Sequence, residues 1–147
     1  MNIKIHAILP AAFLLLASLQ ASAHDAVISI QCTLTGTSGP QETLPAPFNG
    51  TFNFWIYDVN KGGAGHGAME RVGDASVDWI NFVGVYPSSY AVTFVNTPQI
   101  VVEFGLDRNT GKGNYVIGRY VNGYAQAPFV ASYNCIKSSA PLPQHRL

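Results

Sequence analysis

Apolar and polar residues alternate with period two along most of this chain, and each alternating run is cut short by Gly, Pro, Asn or Asp. Period two places successive side chains on opposite faces of a strand, and frequent turn residues keep such strands short. The clearest run is Thr51 to Val59. Phe52, Phe54 and Ile56 fall on one face, and Asn53, Trp55 and Tyr57 on the other. Further runs are Ala26 to Thr35, Ala68 to Asp74, Ser76 to Tyr86, Tyr90 to Val95, Gln99 to Leu106, Asn114 to Tyr120 and Phe129 to Ile136. In the run from Ser76 to Tyr86, Val77, Trp79, Val83 and Val85 share one register.

The breaks between runs carry turn chemistry. Asn122-Gly123 is a two-residue hairpin signal, and Gly111 in Asp107-Arg108-Asn109-Thr110-Gly111-Lys112 can take a left-handed conformation. Gly36 to Phe48 reads as a loop, Asn60 to Gly67 as a flexible glycine loop, and Pro87-Ser88-Ser89 as a turn. Composition agrees: only 11% of residues are charged, against about 25% in average soluble proteins. Roughly seven to nine short strands and no helix of useful length predict an all-β fold. A small antiparallel β-barrel, lipocalin-like in outline, is favoured because the strongest turns join neighbouring strands. A β-sandwich is the alternative. A transmembrane barrel fits less well, because the chain ends on Pro143-Gln144-His145-Arg146-Leu147 rather than on a strand, and no lipid-facing belt stands out.

The first residues read as a signal peptide, 1–23. Lys4 precedes an apolar run from Ala7 to Ala17, and Ala21-Ser22-Ala23 supplies the small residues a signal peptidase reads. The run is shorter than the roughly 20 apolar residues of a membrane span, so no integral membrane segment is expected in the mature chain. The residue directly after Ala23 is His24, not a Cys that could carry a lipid. Export to the periplasm or the cell exterior is the expected destination. The barrel domain is expected over 24–137, with a frayed, proline-containing tail over 138–147.

Cys32 and Cys135 are the two cysteines, one in the first strand and one in the last. An oxidising compartment favours a disulfide between them. In a closed barrel that bond sits at the seam where the last strand meets the first.

The segment Leu106-Asp107-Arg108-Asn109-Thr110-Gly111-Lys112, with a short strand and a final Cys135 after it, resembles the last hairpins of small exported proteobacterial β-barrel proteins of unknown function, which end in a D-R-x-T-G turn and a terminal Cys. The resemblance covers about thirty residues, consists mainly of turn chemistry, and implies the fold class but no activity.

Function is less legible. Balanced charge with no Lys/Arg cluster speaks against nucleic acid and anionic membranes as partners. No G-x-S-x-G elbow or recognisable triad context is present, and Asp58, Asp74 and Asp78 read as strand-end or turn carboxylates rather than an acid–base pair. The expectation is non-catalytic binding, with no cofactor, of a small apolar molecule or a partner protein. Trp55 and Tyr57, opposite the Phe face, are the candidate contact residues, with Trp79 deeper at a barrel mouth. The alternative is copper. Cleavage after Ala23 makes His24 the first residue, whose α-amine and imidazole suit Cu(II), with His66 as second ligand and Asp25 or Met69 as weaker contacts.

Overall fold

The computed structural model describes residues 26–144, and every regular element among them is a strand. In chain order these are β1 (Ile28–Ser38), β2 (Thr51–Tyr57), β3 (Ala64–Arg71), β4 (Asp78–Val85), β5 (Ser89–Asn96), β6 (Ile100–Asp107), β7 (Lys112–Val121), β8 (Tyr124–Ala125) and β9 (Phe129–Lys137). All pairings are antiparallel. Each long strand pairs with the next, and β9 pairs with both β7 and β1. Eight strands therefore close into a meandering barrel, and the two-residue β8 only extends β7. The barrel expected from the strong neighbour-joining turns is the fold. The signal-like segment 1–23 and His24 lie outside the described residues.

Alternation builds the core. Phe52, Phe54 and Ile56 of β2 are fully buried inside, with Phe104 of β6 and Tyr133 of β9 across from them. Their rings meet edge-on, for example Phe52 with Tyr133 at 5.4 Å and Phe54 with Phe104 at 5.9 Å, the geometry aromatic quadrupoles favour. The barrel axis is thus filled by rings, unlike a hollow lipocalin-type interior.

Cys32 and Cys135 are direct cross-strand partners in the β1–β9 ladder and form a disulfide, their Cα atoms 4.1 Å apart. The bond sits at the closing seam, as the positions of the two cysteines imply. The hairpin signals also hold. Asn122 and Gly123 both have positive φ, 49° and 79°, and join Val121 to its partner Tyr124. Gly111 has φ 69°, and a Cβ there would lie 2.5 Å from the Cys135 carbonyl oxygen. Asp107 Oδ1 accepts the N–H groups of Asn109 and Thr110 at 2.8 and 2.9 Å, and these bonds, Thr110's first, hold its carboxyl below the usual range.

Two expectations are corrected. The glycine loop over 60–67 is half strand, because β3 begins at Ala64. Gly65 and Gly67 face inward, where a Cβ on Gly67 would come within 2.8 Å of Val83 Cγ2. Glycine here makes room for neighbours rather than giving slack. Trp79 and Val83 do not share a face, because a bulge between Gly65 and Gly67 of β3 adds a residue to β4 and flips the register after Ile80. At the start of the tail, Ser138 and Ala140 are hydrogen-bonded to the barrel wall.

Candidate functional site

One seam of the barrel is incomplete. β4 and β5 pair only at Gly84↔Ala91 and Val85↔Tyr90, next to the turn that joins them. Both strands carry a bulge in their other ladder, β4 against β3 and β5 against β6 between Thr93 and Val95. A bulge bends its strand and increases twist. Two bulges on the strands flanking one seam turn the facing edges apart, and a cleft of about 550 Å³ opens between them.

The floor of the cleft is aromatic. The loop between β1 and β2 brings Phe48 into the barrel mouth, where it is buried and stacks on Tyr115 of β7 at 4.2 Å. Phe94 of β5 meets Phe48 edge-on at 5.5 Å and Tyr115 at 6.2 Å, yet stays 40% exposed. On the facing strand Phe82 is 61% exposed. Tyr133 fixes the plug from the other side: its hydroxyl donates to the Phe48 carbonyl at 2.6 Å. Burial pushes the Tyr133 phenol far above the usual tyrosine range, and burial, then the Glu42 carboxylate, raises Tyr115. Both stay neutral hydroxyls at physiological pH. Asn81, Thr93 and Asp78 form the polar lip. The described lining contains no His, Cys, Lys or Arg. Such a site offers apolar ring contact with a few hydrogen-bonding groups at its edge, the usual make-up of a small-ligand pocket.

The residues singled out from the sequence lie mostly elsewhere. Trp55 faces outward but is 1% exposed, because its indole N–H donates to the carbonyl of Ala140 in the tail at 2.9 Å. The exposed Trp55–Tyr57 patch is therefore not formed. Tyr57 is half-buried, 6.5 Å from Trp79 in a T-shaped contact and 5.9 Å from the His66 ring. Trp79 borders the cleft at its β4 edge. His66 is exposed on the outer wall, whereas Met69 is buried inside the barrel, so Met69 cannot join His66 in a metal site. His24 and Asp25 lie outside the described residues, and among those described no group of three or more His, Cys, Asp or Glu side chains converges. Asp74 sits in the turn after β3 and Asp78 at the start of β4, both exposed.

Phe48, Phe82, Phe94 and Tyr115 were not singled out by pattern. A signal was present for two of them: Phe82-Val83 and Phe94-Val95 put two apolar residues side by side in otherwise alternating strands, the mark of a bulge that re-aims a side chain. Among the described residues, no helix is long and apolar enough to cross a membrane. No protein-family model, curated protein or solved structure matches the chain.

Proposed function

We propose that this protein is an exported, non-catalytic binding protein that takes an apolar, ring-sized group into the β4–β5 cleft. The observation that carries this reading is the pair of exposed aromatics, Phe82 and Phe94, at an unzipped seam above the Phe48–Tyr115 stack. A barrel of eight strands can pair all the way round, and leaving a seam open exposes apolar surface that folding alone would bury. The barrel axis is filled by Phe52, Phe54, Phe104 and Tyr133, so room for an apolar molecule is at the cleft and not along the interior. The disulfide is compatible with an oxidising compartment. Together with the signal-like segment 1–23 it supports a periplasmic or secreted location.

The test is a titration of the oxidised protein with the neutral fluorophore N-phenyl-1-naphthylamine. Its emission is expected to rise and to be sensitised by Trp79 at the cleft edge. Phe94→Ser is expected to weaken binding about tenfold, the equivalent of roughly 1.4 kcal/mol of lost ring contact. Tyr124→Ser, at a 76%-exposed ring on the β7–β8 hairpin, is expected to change nothing. Equal binding by wild type and Phe94→Ser, or no binding at all, contradicts the assignment.

A further inference from the structure

On the outer wall, Ser29 of β1, Trp55 of β2, Ala68 of β3 and Trp79 of β4 form one continuous cross-strand row, each paired with the next. Outward residues of a barrel normally face solvent, yet Trp55 and Ala68 are buried. The cover is the chain's own end. Ser138 N–H donates to the Ser29 carbonyl at 2.9 Å. The Ala140 carbonyl then accepts both the Ser29 hydroxyl, at 3.0 Å, and the Trp55 indole N–H, at 2.9 Å. Pro141-Leu142-Pro143-Gln144 continues with no regular secondary structure. Pro143 and Gln144 border an open groove of about 580 Å³ whose other walls include Trp79, Val77 and Glu70.

Proline has no N–H to give a ladder, and its fixed φ holds a segment extended with its carbonyls free to accept. A tryptophan N–H aimed at such a carbonyl, with a second tryptophan further along, is how aromatic grooves take proline-rich segments. Ala68 between the two tryptophans keeps the row concave. Glu70 beside the groove favours a cation after the prolines, and Arg146 follows Pro143 in this chain's own sequence. We infer that this row is a docking groove for an extended, proline-rich segment of a partner protein, ending in a basic residue, and that residues 140–144 occupy it in the absence of that partner. The groove shares Trp79 with the edge of the β4–β5 cleft, but its anchoring contacts are made by Ser29 and Trp55, which do not line the cleft. A tethered occupant competes at an effective concentration in the millimolar range, so the partner segment must displace it.

The experiment uses the full disulfide-bonded chain, a synthetic peptide of residues 138–147, and the Trp55 indole N–H resonance as readout. The chain carrying Pro141→Gly and Pro143→Gly, whose own strap is loosened, is expected to bind the peptide at least about tenfold more tightly than wild type. A peptide with the same two substitutions is expected to bind at least about tenfold more weakly than the native peptide. The Trp55 signal is expected to move on binding in both chains. Circular dichroism and an intact disulfide verify that the variant chain is folded, its changes lying in the tail. No binding to either chain at millimolar peptide, equal binding of the two peptides, or an unmoved Trp55 signal overturns the inference. A wild-type dimer held by exchanged tails overturns the foreign partner and assigns the groove to a second copy.

Discussion

The β1–β9 and β4–β5 seams lie opposite each other in the ring of eight strands, and they are built in contrasting ways. At β1–β9 the ladder runs from Ile30↔Lys137 to Ser38↔Val130 and is crossed by the disulfide. It too contains a bulge, between Leu34 and Gly36, but the extra residue is stitched in: Thr35 Oγ1 donates to the Ser132 carbonyl at 2.9 Å. At β4–β5 the ladder stops after Gly84↔Ala91. The bulges there belong to the neighbouring ladders and turn both edges away from the seam. A bulge by itself therefore does not open a barrel. Which ladder contains it, and whether a side chain repairs it, decides whether the seam serves stability or leaves a cleft.

The largest way to break the comparison is to remove the bond at the closed seam. Cys32→Ala with Cys135→Ala is expected to lower stability by about 4 kcal/mol, the chain-entropy value for a loop of about 100 residues, measured by urea unfolding. Probe affinity at the cleft of the remaining folded protein is expected to be unchanged. Parallel loss of both would mean that the seams are not independent. Phe48→Ala is expected to cost about 3–4 kcal/mol and to alter probe binding as well, because Phe48 touches Tyr133 on the closed side and Phe94 on the open side. Thermal melts and the fluorophore titration check this together.

Tyr133→Phe removes the hydrogen bond to the Phe48 carbonyl and is expected to cost about 1 kcal/mol. It also has a pH signature. Burial raises the folded-state pKa of Tyr133 above its unfolded value. The resulting stability is fully present below about pH 10 and is lost as pH rises from there toward the folded value. Denaturant midpoints between pH 9 and 11 are expected to fall less steeply in Tyr133→Phe than in wild type. The smallest effect on stability is expected at the open seam: Phe82→Ser, at a largely exposed ring, changes it by no more than about 0.5 kcal/mol, while weakening probe binding severalfold.

The sequence made the frame of this molecule legible and the site much less so. Phe52, Phe54 and Ile56 alternate without interruption, and Asn122-Gly123 and Asp107 to Gly111 state their turns locally, so the barrel could be read from period and turn chemistry. The disulfide followed from two cysteines at the ends of that frame. The cleft depends on two bulges, and a bulge is defined by what lies across the ladder, which no single strand encodes. Gly65 and Gly67 misread as a loop for the same reason: Gly67 leaves space for Val83 and Phe54, and Gly65 for Val59 and Ile56, all outside β3. Phe48 sits in a segment with no periodicity, and only its burial against Tyr115 shows it to be core. Trp55 was visible as an outward aromatic, but its cover arrives from Ala140, 85 residues further along the chain.

Native-state amide hydrogen exchange compares the two seams most directly. Amides around the Cys32–Cys135 pair are expected to exchange only through global unfolding. The amides of β4 and β5 that face the gap beyond Gly84 and Ala91 are expected to exchange at least about a hundredfold faster, through local opening, and to slow selectively when N-phenyl-1-naphthylamine is added. Equal protection at both seams, unchanged by the probe, would contradict an open, ligand-accepting seam.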